Sequence, residues 1–160
     1  MEDDINVLSR RTLFLAGGLG AIAAATLATP AEADAPAAGD AEKANVKLVS
    51  DFCKSWAAKD FDADKMAATY LSDDSSVRME EGKPALTGPA AVAAGFKTFT
   101  SNGGRVKVKI LQTFAKGPVV VNSRVDTLVN PGKPDQPFKV AGVFIVKDGK
   151  IKEWSDYLAG

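Results

Sequence analysis

The sequence predicts an α+β domain in which one curved, antiparallel (mixed) sheet wraps three N-terminal helices and leaves a deep pocket on its concave side. Two observations carry that expectation. Between Glu42 and Asn102 apolar residues recur at helical spacing, whereas from Arg105 onward they alternate in four segments separated by turn residues. Helices first and strands after favour a sheet with its helices gathered on one side.

Each element has its own signal. From Glu42 to Lys59, Val49, Phe52, Cys53 and Trp56 fall at i, i+3, i+4 and i+7, one apolar stripe of an amphipathic helix. Asp62 is placed to cap a second, shorter helix reaching about Tyr70, with Met66 and Tyr70 inward. Ser72, Asp73 and Asp74 read as a turn, and Ser76 to Glu80 as a short strand with Val77 and Met79 on one face. Glu81 to Pro84 turns the chain again. Gly88 and Pro89 open a third helix, whose buried side is Val92, Phe96 and Phe99, and Asn102 to Gly104 ends it. The four strands that follow are bounded by Lys116 to Pro118, Asn130 to Pro137, and Asp148 with Gly149.

The amino-terminal stretch has a different character. Ser9-Arg10-Arg11-Thr12-Leu13-Phe14-Leu15 is a twin-arginine sequence, followed by an Ala, Gly and Leu-rich run from Leu13 to Leu27 that is short for a membrane span. Ala31-Glu32-Ala33 supplies a small-x-small cleavage site, favoured over Ala33-Asp34-Ala35 because Pro36 would follow a cut there. Residues 1 to 33 are therefore expected to be a twin-arginine export signal, 34 to 41 a linker and 42 to 160 the domain, periplasmic or secreted, with no stable membrane anchor after cleavage.

Composition then narrows the chemistry. The chain has no histidine, which removes Ser-His-Asp and Cys-His catalysis and His-ligated metal from consideration. Acid/base work falls to Asp, Glu, Tyr or Lys. Asp73, Asp74, Glu80 and Glu81 lack a repeated ligand spacing, so no metal is expected. Net charge is zero and no basic stripe interleaves with aromatics, which argues against nucleic acid as a partner. Cys53 is the single cysteine and lies on the first helix's apolar stripe, so it reads as a packing residue.

Two charged strands stand out against the most apolar part of the chain. Arg124 and Asp126 share a strand face, flanked there by Asn122 and Leu128, and on the last strand Asp156 shares a face with Trp154. On an exposed sheet face such a pair would contribute at most about 1 kcal/mol. Among Val119 to Val121, Val125, Leu128 and Val140 to Val146, however, charges need partners. If the two faces converge, one guanidinium sits between two carboxylates.

With these features in place, the sequence resembles the SnoaL-like, nuclear-transport-factor-2-like cone folds, and within them limonene-1,2-epoxide hydrolase. The resemblance runs from about Val46 to Leu158. It is carried by Arg124-Val125-Asp126, by Gly142-Val143-Phe144 to Lys150-Ile151, and by Trp154-Ser155-Asp156-Tyr157. It implies an Asp-Arg-Asp triad that opens a small apolar epoxide without a cofactor or covalent enzyme intermediate. Asp126 would be the general acid, Asp156 the general base activating water, and Arg124 the bridge, with Trp154, Val77, Met79, Phe144 and Tyr70 as substrate-pocket walls. Two adjacent carboxylates resist double ionisation, so one keeps a proton while the other serves as base.

The family holds its attacking water with a tyrosine and an asparagine on the first short strand, where this chain has Val77-Arg78-Met79. Neither Val77 nor Met79 offers a phenol or amide, which leaves Tyr70, Thr113 and Asn122 as candidate replacements. That departure keeps two other readings open: an isomerase that moves a proton in the same cone, and a non-catalytic module that binds a small hydrophobic ligand or pairs with itself as a homodimer through the outer sheet face.

Overall fold

The computed structural model describes residues 39–159, so the expected export signal and residues 34 to 38 of the expected linker lie outside the described residues. Helix α1 spans Asp40–Ser55 and α2 Ala63–Tyr70; strands β1 (Leu71–Arg78) and β2 (Leu86–Thr87) precede α3 (Gly88–Thr100). Strands β3 (Arg105–Lys116), β4 (Val119–Val129), β5 (Gln136–Lys147) and β6 (Lys150–Leu158) complete the chain. All six strands form one curved, unclosed sheet in the order β2-β1-β6-β5-β4-β3. β3 to β6 are an antiparallel meander, and β1 joins β6 in parallel, which makes the sheet mixed.

Local chemistry explains where the boundaries differ from expectation. α1 begins at Asp40, inside the expected linker, because the Glu42 carboxylate accepts the Gly39 N–H at 3.0 Å and acids sit in the first turn. It stops at Ser55 and does not run to Lys59: the Ser55 hydroxyl donates to the Phe52 carbonyl at 2.6 Å, and the next N–H groups bond three residues back. The Asp62 cap is present, its carboxylate accepting the Lys65 N–H at 3.0 Å.

The stretch Ser72 to Asp74 forms part of β1, not a turn. β1 pairs Leu71 with Ile151 and then Ser76 with Glu153, so four residues of β1 face one of β6 in a wide irregularity. Their polar side chains fit because Asp73 and Asp74 point to solvent, Asp74 pairing with Lys152. The hairpin between β5 and β6 turns at Asp148 and Gly149, both with positive φ (51° and 70°).

The core is aromatic and sits between α1 and the inner sheet face. The Phe52 ring lies 5.1 to 6.2 Å from the rings of Trp56, Tyr70, Phe144 and Trp154, mostly edge to face. Fully burying each such side chain contributes on the order of 2 to 3 kcal/mol, and each ring pair about 1 kcal/mol more. Val49, Cys53 and Val77 are completely buried in the same cluster. This plug fills one end of the concave face and leaves the other end open.

Candidate active site

The open end is a cavity of about 390 Å³. Its walls come from every layer: Trp56 at the end of α1, Met79 after β1, Phe96 and Phe99 from α3, Val106 and Leu128 from β3 and β4, Phe138, Val140, Trp154 and Leu158 from β5 and β6. Asp126 and Asp156 supply charge within it, and Glu80 and Glu81 stand exposed beside it.

Arg124 lies beneath this lining with no exposed surface. Its Nε donates to both oxygens of Asp126 at 3.1 and 2.9 Å, and its Nη2 donates to Oδ2 of Asp156. The Asp156 carboxylate is held a second time by Trp154, whose Nε1 donates to Oδ1 at 2.6 Å. Trp56 covers the guanidinium with its ring, 4.9 Å from Cζ, a cation–π contact in a desolvated setting. The faces of β4 and β6 therefore converge, which alternation along each strand left open. β5 runs between those strands, pairing with both.

Burial governs the electrostatics. It pushes Asp126 up to about 6, against the pull of the adjacent Arg124 charge and hydrogen bond, with the negative Asp156 adding to the rise. Asp156 is also raised by burial, while Arg124 and the Trp154 N–H work in the opposite direction. Burial opposes the charged guanidinium too, but its two carboxylate neighbours outweigh that and hold its pKa above the usual arginine value. The two carboxyls are therefore a coupled pair beside a guanidinium that stays charged.

Of the expected pocket walls, Trp154 and Met79 line the cavity; Val77, Phe144 and Tyr70 do not. Val77 and Phe144 are on the inner face but completely buried in the aromatic plug. Tyr70 packs on Phe52 and borders a separate cleft between α1 and α2. Strand alternation identifies the face of a residue; it does not say which end of that face a helix fills. Trp56, Phe96, Phe99, Val106, Leu128, Phe138, Val140 and Leu158 line the cavity beyond the expected walls. Period two places Leu128 with Arg124 and Asp126, and Phe138 with Val140, which was the available signal.

The candidate water-holders are also elsewhere. Asn122 donates to the Thr113 hydroxyl at 2.5 Å and is fully buried, its Oδ1 accepting from the thiol of Cys53 on α1 at 3.9 Å. Neither Thr113 nor Asn122 borders the cavity. Among the described residues no group of three or more His, Cys, Asp or Glu is placed to hold a metal, and no helix is long and apolar enough to cross a membrane.

Comparison with known proteins agrees with this fold. An LEH-like epoxide hydrolase from M. tuberculosis is 26% identical, with a TM-score of 0.63 over 74% of this chain and 84% of that one. A protein described as a SnoaL-like polyketide cyclase from Jannaschia sp. CCS1 is 17% identical, TM-score 0.64, over 76% and 89%. An NTF2-like protein from Anabaena variabilis ATCC 29413, 19% identical with a TM-score of 0.58 over 74% and 88%, has the same cone fold. No curated protein sequence matches. Residues 43–159 match the family described as the limonene-1,2-epoxide hydrolase catalytic domain, and the chain belongs to that family.

Proposed function

We propose that the protein opens a small apolar epoxide by acid/base chemistry, without a cofactor, using Asp126, Arg124 and Asp156. The observation that carries this reading is one buried guanidinium held between two carboxylates that border an otherwise aromatic and aliphatic cavity. Family membership supports epoxide hydrolase or cyclase-type chemistry in general. The division of labour follows from hydrogen bonding. Each oxygen of Asp156 accepts from a fixed donor, which favours its anion and suits it to be the base. Asp126 shares a single N–H between its two oxygens and keeps a proton more readily, which suits the acid.

In the reaction, water gives a proton to Asp156 as its oxygen attacks an epoxide carbon. The C–O bond breaks, and the departing oxygen takes the proton of Asp126, giving a diol. Asp156→Asn and Asp126→Asn should each lower turnover by about 100- to 10,000-fold while the protein stays folded. Incubation with apolar epoxides in ¹⁸O-labelled water should yield labelled diol.

A second reading rests on the lining itself. Among the described residues, no amide or hydroxyl side chain borders the cavity to share a water with Asp156. A hydroxyl carried by the substrate would then take the place of water, and a hydroxy-epoxide would close to a cyclic ether without incorporating label. An isomerised product, or binding with no turnover, would instead favour proton transfer or ligand binding as the function.

Two further proposals concern context. The outer face of the sheet carries the row Phe114, Val121 and Val143, with Val125 and Ile145 beside it, half-buried or exposed, and suits a homodimer interface. Sedimentation tests it. Export by the twin-arginine route is tested by N-terminal sequencing of the exported protein, which should begin near Asp34 or Pro36.

A further inference from the structure

Gly142 interrupts an inner row of β5 that is otherwise large and apolar: Phe138, Val140, Phe144 and Val146. Its backbone does not require glycine, because its φ lies outside the left-handed region. Space does. Gly142 pairs with Asn122 on one side and with Asp156 on the other, so its missing side chain lies between the two charged strands. A Cβ there would stand 2.5 Å from Nη1 of Arg124, 2.7 Å from Cε2 of Phe144 and 2.9 Å from Oδ1 of Asp156. All three distances are below what a real Cβ tolerates, and none of the three groups is free to retreat.

Phe144 is fully buried and lies parallel to Trp154, their centroids 5.7 Å apart. Asp156 is tied to Trp154 and Arg124. The guanidinium would usually be the flexible end of its side chain, but here Nε and Nη2 are committed to the two carboxylates and the plane lies against Trp56. Nη1, the nitrogen facing Gly142, has no hydrogen-bond partner among the described residues.

We propose that Gly142 is a positioning residue for the triad: the absence of a side chain at this point of β5 creates the space in which the Arg124 guanidinium spans Asp126 and Asp156. The proposal rests on the acid/base reading of the triad, and its test separates the two. In Gly142→Ala the guanidinium must leave Asp156 or the carboxylate must turn from Trp154. Turnover of an epoxide should fall by about 100-fold, the scale of a 1 Å misplacement, mainly in kcat. Independently of any turnover, ¹³C NMR of the aspartate carboxyls should show the titration of Asp126 and Asp156 moved from wild type, with Cys53 the other titratable group facing them. If the wild type opens no epoxide but the titration moves, the enzyme reading fails and the positioning role stands.

A folded Gly142→Ala protein with wild-type carboxyl titration would overturn the proposal. Should Gly142→Ala fail to fold, two further variants decide between the neighbours: Gly142→Ala combined with Arg124→Met, Asp126→Asn and Asp156→Asn, which removes the guanidinium together with the charges that need it, and Gly142→Ala/Phe144→Leu. Recovery of folding with the neutralised triad supports the proposal; recovery with Phe144→Leu alone, or with neither, overturns it.

Discussion

The indole N–H of Trp154 donates to Oδ1 of Asp156 at 2.6 Å, two residues along the same face of β6. The same indole is buried among Phe52, Trp56, Phe96 and Phe144, so the aromatic core fixes the direction in which the carboxylate presents itself. Trp154→Phe keeps most of that packing and deletes the donor. Without it the Asp156 anion loses one of its two supports and its pKa rises further. A base must be ionised, so the acid limb of the kcat/KM profile is expected to move to higher pH. An unmoved limb would mean that Trp154 only packs.

Arg124→Ala should be among the most destabilising single changes in the domain. It leaves two largely buried carboxylates without their cation and opens a void beneath Trp56, at a cost of roughly 3 to 5 kcal/mol near neutral pH. Denaturant titration measures it. The loss should shrink as pH falls and the carboxyls take up protons; an equal loss at neutral and at acid pH would point to the void and not to the charges.

Cys53 is fully buried on α1, and burial pushes its thiol up to about 12. It is therefore inert as a nucleophile in the folded protein. A thiol reagent should label it only when the protein unfolds, and Cys53→Ala should cost on the order of 1 kcal/mol with turnover unchanged. Rapid labelling of native protein would contradict the packing role.

What could be read from the sequence follows from how local each signal is. The α1 stripe and the shared face of Arg124 and Asp126 depend only on residue spacing, and both appear in the structure. Ser72 to Asp74 misled because residues that favour turns also fit a strand irregularity, and only the distant partner Ile151 shows that the chain continues as strand. The parallel union of β1 with β6 has no local signature at all. Val77 and Phe144 have the alternation of cavity walls, yet both are completely buried in the plug, where Phe52 of α1 packs on Phe144. Which residues border the cavity is decided by helix placement, a property of the whole packing.

The last prediction concerns stability and pH. Asp126 rises from the ordinary 3.8 to about 6 on folding, so between these values the folded protein holds a proton that the unfolded chain has released. With more protons bound in the folded state, stability must fall as pH rises through that window and level off above it. Two units correspond to on the order of 2 to 3 kcal/mol, an upper bound for a group coupled to Arg124. Asp156 shifts in the same direction; Glu42 and Asp74 shift oppositely, through the Gly117 and then the Gly39 N–H groups for one and Lys152 for the other. Subtraction removes the Glu42 and Asp74 contributions and leaves that of Asp126 with its coupling to Asp156: wild-type and Asp126→Asn proteins are unfolded in urea from about pH 4 to about pH 8 and their free energies compared. Wild type should lose stability relative to the variant as pH rises toward 6, and the difference should then stay constant. A difference that grows in favour of wild type over that range would mean that Arg124 lowers the Asp126 pKa more than burial raises it, and Asp126 would then be the wrong residue to carry the acid's proton.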